Sequence, residues 1–157
     1  MVGRTHDYAL TVAWTGNRGS GTSDIRGYGR DHEVRAAGKP VLLGSSDRAF
    51  RGDADRWNPE ELLLAALSQC HMLAYLSVAA LDGVVVTDYT DDAVGQMAET
   101  NDRSGHFVWA ELRPRVTVAD AAMAERADEL HHEAHRQCFI ANSVNFEVRT
   151  ASSVVVA

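Results

Sequence analysis

The chain has 157 residues, of which 45% are hydrophobic and 24% are charged, and its formal net charge is −7. These proportions are those of an ordinary globular protein, and 3 prolines are too few for an extended disordered chain. The length suits a single domain over residues 1–157 better than two. Because the cationic side chains are scattered along an acidic chain, we expect no nucleic-acid partner.

The N-terminal residues lack the apolar core of a secretory signal, so we expect the protein to be cytoplasmic. An apolar stretch over residues 62–81 is interrupted by the polar side chains of Ser68, Gln69, His71 and Ser77. It falls short of the ~20 uninterrupted apolar residues that cross a bilayer, and therefore predicts a buried helix and no membrane partner. In a reducing compartment, two cysteines are more often free, catalytic or redox-sensing than structural.

The first third of the chain predicts a small antiparallel sheet. Apolar residues alternate from Tyr8 to Trp14, which is the period of a strand with one buried face. A glycine-rich turn over residues 15–22 is followed by strand-like segments over residues 25–34 and 39–43. These three segments indicate neighbouring strands.

A long helix follows this sheet. Asn58 offers an N-cap side chain, Pro59 suits the first helical position, and two acids occupy the first turn, so the helix should begin here. It is apolar on nearly every side and should run to Asp82, where Gly83 ends it. A helix with this composition has to be enclosed.

The remaining sequence predicts strands over residues 84–94 and 107–118, a helix over residues 119–138, and a strand over residues 145–149. The order is β, β, β, α, β, β, α, β, with no internal repeat. Strands separated by only two helices indicate an α+β fold, in which antiparallel sheets wrap around the buried central helix.

The chemistry centres on Cys70, near the middle of the long helix. Considered alone, it is more simply interpreted as a small hydrophobic core residue, because free cysteines are commonly buried. The second cysteine, Cys138, lies near the end of the second helix, so the two thiols could meet in the interior. Desolvation disfavours a thiolate in an apolar helix, so a nucleophilic Cys70 would need a nearby cation. Arginine serves best, and a buried arginine needs a carboxylate partner.

The segment Asn58-Pro-Glu-Glu-Leu-Leu-Leu-Ala-Ala-Leu-Ser-Gln-Cys70 resembles the helix signature of the OsmC/Ohr family, including its interval of ten residues between Glu60 and Cys70. The turn around Arg18 is similar to the first hairpin turn of that family. Residues 138–143 fall where the family has its second cysteine and a nearby serine. Together with the element order, the resemblance covers nearly the whole chain.

The resemblance implies a thiol-dependent peroxidase without a cofactor or metal, acting on organic hydroperoxides or hydrogen peroxide. Cys70 would be the peroxidatic thiolate, Arg18 and Glu60 its activating pair, and Cys138 the resolving thiol, with oxidation passing from a sulfenic acid to a disulfide. A dithiol of the dihydrolipoyl type would reset the site. The family forms intertwined homodimers. Arg26 and Arg30 are alternatives to Arg18 because they lie in the same sheet.

Two positions depart from the family pattern. His71 follows the first cysteine in place of an aromatic or small apolar residue, and Phe139 replaces the common proline after the second. Together with the histidine-rich second helix, these departures indicate a divergent branch.

Helix geometry adds an expectation about assembly. Ten residues at 1.5 Å per residue separate Glu60 from Cys70 by about 15 Å along one helix. We therefore expect a shared site, with Arg18 and Glu60 of one subunit approaching Cys70 and Cys138 of the other. A sharp bend near Leu64 is the competing explanation.

Two other readings remain open. One is a non-enzymatic OsmC-like scaffold that binds a small hydrophobic or thiol ligand, with core cysteines. The other is a zinc site near Cys138, because the second helix carries a histidine cluster at helical spacing. The histidines of that cluster are His131, His132 and His135. Without a Cys-x-x-Cys motif, the cluster is better read as an exposed polar face.

Overall fold

The structure is a computed structural model that describes residues 3–157. It divides into two compact units, the first ending at Leu62 and the second spanning Leu63–Ala157. We describe each unit separately, and the expectation of one domain stays a prediction.

The first unit contains a three-stranded antiparallel sheet in the order β1-β2-β3. The strands are β1 (Thr11–Trp14), β2 (His32–Arg35) and β3 (Leu42–Gly44). The first strand is shorter than the alternation from Tyr8 predicted. The small antiparallel sheet itself is confirmed. A short 3-10 helix over Arg48–Phe50 follows it.

Helix α1 (Pro59–Leu81) begins where the sequence predicted, and the structure gives the reason. The Asn58 side chain accepts a hydrogen bond from the Glu61 backbone N–H at 2.8 Å, and the Glu61 carboxylate accepts one from the Asn58 N–H at 3.2 Å. This reciprocal pair is a capping box, which satisfies two N–H groups that the first turn leaves free. Gly83, at φ +79°, follows the end of the helix.

The second unit adds six strands and a second helix. The strands are β4 (Val86–Asp91), β5 (Val94–Glu99), β6 (Gly105–Leu112), β7 (Pro114–Val118), β8 (Glu147–Thr150) and β9 (Ser153–Val156). Helix α2 (Ala124–Gln137) follows a short 3-10 helix over Ala121–Met123, so the regular helix begins later than predicted. The strand β9 was missed by the sequence analysis.

The six strands form two mixed sheets, β4-β7-β9 and β5-β6-β8. In each sheet the last strand pairs in parallel, which corrects the expectation of purely antiparallel sheets. The physical reason is the connection, because parallel neighbours need a long crossover and the segment containing α2 supplies it.

Two segments predicted as single strands are each divided between these sheets. The first divides after Asp91, and the second divides at Arg113. The Asp91 carboxylate accepts the Arg113 backbone N–H at 2.6 Å, so this N–H bonds to a side chain instead of a sheet ladder. Pro114, the next residue, has no N–H to offer. Both strands therefore change sheet at the same place.

Only one face of α1 is fully buried within the chain. Its buried residues are Leu67, His71, Tyr75, Val78 and Ala79, which recur at helical spacings of three and four. Leu73 and Leu81 on other faces are 60% and 86% exposed. The expectation that the helix is enclosed is therefore not met by the described chain alone. By length and composition α1 would also suit a membrane span, a test that core helices of soluble proteins pass as well.

The buried face of α1 contributes to two core clusters in the second unit. The larger contains Tyr75 and Val78 of α1 with strand residues and α2 residues such as Val116 and Leu130. The smaller joins Leu67 to Ala110 and Leu112 of β6. In the sequence, Cys70 lies between Leu67 of the smaller cluster and Tyr75 of the larger one. The core therefore fixes the segment of α1 that carries Cys70.

Candidate functional site

The structure brings the two cysteines together in the second unit. Cys70 lies on α1 and is half-buried, whereas Cys138 directly follows the end of α2 and is 1% exposed. Both are free thiols, and Cys70 lies near enough to Cys138 to raise its pKa. Two neighbouring thiols on different segments of the chain are candidates for a disulfide.

The surroundings of Cys138 keep it protonated. Burial raises the pKa of the Cys138 thiol to about 11, and the contact with Cys70 acts in the same direction. The Ala141 backbone N–H, which donates to Cys138 Sγ at 3.4 Å, opposes this shift in pKa only in part. At neutral pH, Cys138 is therefore a thiol that can donate a hydrogen bond to the Cys70 sulfur.

Arg18 and Glu60 both belong to the first unit. Arg18 is exposed, in a turn where the Asn17 side chain accepts from the backbone N–H groups of Gly19 and Gly21. Glu60 is half-buried, and its Oε2 atom is buried without a hydrogen-bond partner among residues 3–157. A buried carboxylate oxygen without a partner is costly, so Glu60 is suited to receive a donor that the described chain does not supply.

The two alternative arginines differ in how firmly they are held. Arg26 is exposed. The Arg30 guanidinium stacks on the Tyr28 ring at 4.2 Å and donates to the backbone oxygens of Tyr28 and Ile25 at 2.7 and 2.9 Å. Arg30 also lines a cavity of about 330 Å³ in the first unit, whose apolar walls include Trp14 and Tyr28. It is therefore the most ordered of the three candidates.

A buried pair of histidines joins the two helices α1 and α2. His71 is fully buried and His131 is 4% exposed, and His71 Nε2 lies 3.0 Å from His131 Nδ1. The His131 ring stacks on the Tyr75 ring with centroids 4.1 Å apart, and the Tyr75 hydroxyl donates to the Ala127 backbone oxygen at 2.9 Å. The histidine pair and Tyr75 therefore connect α1 to α2 by ring stacking and by hydrogen bonds.

Burial lowers the pKa of both histidines to about 4. The nearby His135 lowers the pKa of His71 further, and His71 does the same for His131. The Asp91 carboxylate opposes the shift at His71 only in part, and it also accepts the Ser68 hydroxyl at 2.5 Å. Both imidazoles are therefore neutral at pH 7, and one donates to the other.

Because both histidines are buried in their neutral form, we predict that the protein loses stability in mild acid. The unfolded chain takes up protons on these histidines below about pH 6.5, whereas the folded chain does so only near pH 4. The stability that the two neutral histidines contribute is thus fully present above about pH 6.5, and it is lost as the pH falls towards 4. We expect the free energy of unfolding to drop by about 1.4 kcal/mol per pH unit for each neutral histidine, measured by urea unfolding.

A His71→Gln variant should show a shallower dependence on pH, since glutamine can keep a hydrogen bond to His131 but does not titrate. His106→Gln is the matched control, because His106 is exposed on β6. Equal slopes for the wild type and His71→Gln between about pH 7 and pH 5 would contradict the assignment.

The histidines of α2 face in different directions. His131 is turned into the core against His71, whereas His132 is exposed. Within residues 3–157, no group of three histidine, cysteine, aspartate or glutamate side chains is placed to hold a metal ion. The helical spacing of the α2 histidines suggested a zinc site, but among the described residues it does not place their side chains as a set of metal ligands.

The sequence marks His71 only as a departure from a family pattern, and it predicts an exposed face for the α2 histidines. For His131 that prediction is wrong, because its ring is buried in the core. The four-residue spacing of Leu67, His71 and Tyr75 could have placed His71 on the buried face of α1. No local signal could have identified His131 as its partner, because they are 60 residues apart in the chain.

Comparison with known proteins shows what this chain is similar to. The family model described as OsmC-like protein matches residues 52–153, a segment that contains both cysteines. An OsmC-like protein of unknown function from Vibrio cholerae O1 biovar eltor is 31% identical, with a TM-score of 0.84 over 96% of this chain and 100% of that one. No curated protein is significantly similar to this chain.

Two further solved structures share the fold at lower identity. An organic hydroperoxide resistance protein from Elizabethkingia anophelis is 18% identical, with a TM-score of 0.69 over 98% of this chain and 100% of that one. A Legionella pneumophila protein, described as an organic hydroperoxide resistance protein and predicted redox protein, is 20% identical. Its TM-score is 0.69 over 96% of this chain and 98% of that one.

Proposed function

This chain belongs to the OsmC family, and we propose that it is a thiol-dependent peroxidase that reduces organic hydroperoxides, hydrogen peroxide or both. The observation that carries the proposal is that the free thiols of Cys70 and Cys138 lie near each other in the second unit. The hydroperoxide resistance attributed to the Elizabethkingia and Legionella proteins supports peroxide as the substrate class.

In the proposed reaction, the Cys70 thiolate attacks the distal oxygen of the peroxide. The oxygen–oxygen bond breaks, the leaving alkoxide or hydroxide takes up a proton, and Cys70 becomes a sulfenic acid. The Cys138 sulfur then attacks the Cys70 sulfur, the sulfur–oxygen bond breaks, and water leaves with the Cys138 proton. An external dithiol, of the dihydrolipoyl type, reduces the disulfide and is itself oxidised.

The high pKa of Cys138 suits this division of roles. A protonated Cys138 is a poor nucleophile, so it does not compete with Cys70 for peroxide. After oxidation of Cys70, Cys138 lies near the sulfenic acid, so we expect resolution without a large movement of the chain.

The activating pair is proposed to be Arg18 and Glu60, in the intertwined homodimer. Glu60 and Cys70 lie ten residues apart on an unbroken helix, or about 15 Å along its axis, so one subunit's Glu60 is poorly placed for its own Cys70. Glu60 Oε2 has no hydrogen-bond partner among residues 3–157, so a donor from a second subunit could bind to it. The same subunit would cover the exposed leucines of α1, which would make α1 the central helix. We propose that this dimer is cytoplasmic and binds neither nucleic acid nor membrane.

Replacing the resolving cysteine tests the proposed order of steps. A Cys138→Ser variant should still consume about one equivalent of peroxide, because the attacking thiol is intact. It should then stop at a sulfenic or over-oxidised Cys70. Dimedone labelling and intact mass would detect this. A variant that still forms an intramolecular cross-link, or one that never reacts, would contradict the assigned roles.

The identity of the activating arginine can be tested by three matched variants. We expect Arg18→Ala to slow peroxide reduction by about 100-fold or more, since it would remove the charge that favours the thiolate. Arg26→Ala should have a small effect. The rates are measured by stopped flow with cumene hydroperoxide. A loss confined to Arg30→Ala would assign the role to Arg30 instead.

A further inference from the structure

The hydrogen-bonded contacts between α1 and α2 form an ordered series that leads to the two cysteines. Asp82, which directly follows α1, accepts hydrogen bonds from the Arg126 guanidinium at 2.6 and 3.0 Å. Earlier residues of α1 meet later residues of α2, so the two helices run antiparallel. In the order of the series, the pairs are Asp82 with Arg126, Tyr75 with Ala127, and His71 with His131. The next neighbours in this order are Cys70 and Cys138.

The histidine contact is the one that adjoins the thiols. Cys70 directly precedes His71 on α1, and Cys138 directly follows α2. His131 and Cys138 are seven residues apart, which is about two helical turns, so both lie on the same side of α2. They are 4% and 1% exposed. A change in how His71 meets His131 would therefore move the two thiols relative to each other.

The two histidine rings depend on each other for hydrogen bonding. Among residues 3–157, His71 Nδ1 and His131 Nε2 are buried without a partner, so the bond between the other two ring nitrogens is the only one that either ring makes. A hydrogen bond needs a heavy-atom distance of about 2.7–3.2 Å and a nearly linear arrangement. An apolar contact tolerates small displacements. The pair therefore specifies one relative position of α1 and α2 more strictly than the apolar core around it.

We propose that the hydrogen bond between His71 and His131 positions the two cysteines for disulfide formation. The inference rests on the proposed Cys70–Cys138 disulfide. Both histidines are positioning residues, since neither exchanges a proton or a bond with the peroxide. Their contact raises the effective concentration of one thiol at the other. It therefore favours the step in which the Cys138 sulfur displaces water from the sulfenic acid, and it favours the disulfide over the two thiols when an external dithiol is present.

This role differs from a purely structural one in its consequence for an apolar replacement. A His71→Leu/His131→Leu double variant exchanges the polar pair for an apolar contact and leaves no unpaired ring nitrogen. Replacing both partners of a buried hydrogen bond in this way is often nearly neutral for stability. If the pair served stability alone, the disulfide would form as readily in this variant as in the wild type. Under the proposal, the variant folds but holds its thiols together less closely.

Two measurements on the full-length protein test the role. Equilibration with mixtures of reduced and oxidised dithiothreitol at about pH 7.5 gives the equilibrium constant of the disulfide. Quenched flow with cumene hydroperoxide, read by intact mass, gives the rates of sulfenic acid formation and of resolution. In the double variant, the equilibrium constant and the resolution rate should fall by about 10-fold, a typical coupling between two sites, and sulfenic acid formation should change less. Should the double variant not fold, His131→Phe, which keeps a ring stacked on Tyr75, is measured in its place.

Two matched variants serve as controls. His71→Gln can keep a hydrogen bond to His131, so the equilibrium constant and the resolution rate should stay within about threefold of the wild type. Arg126→Gln removes the contact of the series that is farthest from the thiols in sequence. This contact is an exposed ion pair, so its loss should change both values by less than about twofold.

The inference is overturned if the double variant keeps the wild-type equilibrium constant and resolution rate, or if either control variant loses as much as the double variant. An equal loss in sulfenic acid formation and in resolution would also overturn it, because that result would indicate a general disturbance of the site. In each of these cases the wild type still forms its disulfide, and the proposed function stands. A wild type that forms no disulfide with peroxide would overturn both.

Discussion

A Cys70→Ser variant should lose peroxide consumption almost completely, by on the order of 10³-fold or more, because it removes the proposed nucleophile. Serine has nearly the size of cysteine, but its hydroxyl is not a useful nucleophile without a strong base. The position is half-buried on α1, so the replacement should be accommodated. The rate is measured by following peroxide disappearance in the presence of a dithiol.

Circular dichroism and the unfolding midpoint serve as controls for this variant, and both should stay close to those of the wild type. Cys138→Ser provides the chemical comparison, since it also removes one thiol but leaves the proposed attacking sulfur. If Cys70→Ser retained the wild-type rate, Cys70 would not be the nucleophile, and the non-enzymatic scaffold would become the better interpretation.

The largest effect on stability is expected for Tyr75→Ala, with a loss of about 3–5 kcal/mol in the free energy of unfolding. Tyr75 is fully buried on α1, stacks on His131 of α2, and is part of the larger core cluster. Alanine would leave a cavity between the two helices that the surrounding side chains can fill only in part. Urea unfolding at about pH 7.5 measures the loss.

Tyr75→Phe separates the ring from the hydroxyl. Phenylalanine keeps the stacking on His131 but removes the hydrogen bond to the Ala127 oxygen, so the expected loss is about 1 kcal/mol. A loss below about 1 kcal/mol for Tyr75→Ala, or equal losses for both variants, would show that the ring does not join the two helices as described.

The sequence was informative where structure depends on neighbouring residues. The start of α1 was predictable because Asn58 and Pro59 are adjacent in the chain and acids follow them, and the structure confirms the N-cap role of Asn58. The family was recognisable from the spacing in this same helix. The α+β class followed from the order of elements.

Features that depend on distant residues were not predictable. The division of two long strands depends on the Asp91 carboxylate binding the Arg113 N–H, 22 residues away. Strand β8 pairs in parallel with β6, and β9 pairs in parallel with β7. These pairings depend on which strand edges are free after the crossover. The alternation of apolar residues within a strand does not specify its neighbour. The neutral state of His131 likewise follows from tertiary burial.

The candidate site shows the same limit. That Cys70 and Cys138 could meet was suggested by their placement on two helices, and the structure places them near each other. The role of Arg18 was inferred from a resemblance and stays a prediction. Three arginines share one short segment, and sequence spacing alone does not specify which guanidinium reaches a thiol.

The most direct test of the peroxidase is the intact mass of the reduced protein after about one equivalent of cumene hydroperoxide or hydrogen peroxide. We predict a decrease of about 2 Da and the loss of both free thiols, because a Cys70–Cys138 disulfide lacks two hydrogens. An unchanged mass with both thiols still free after each of the two oxidants has been tried would contradict the proposed function.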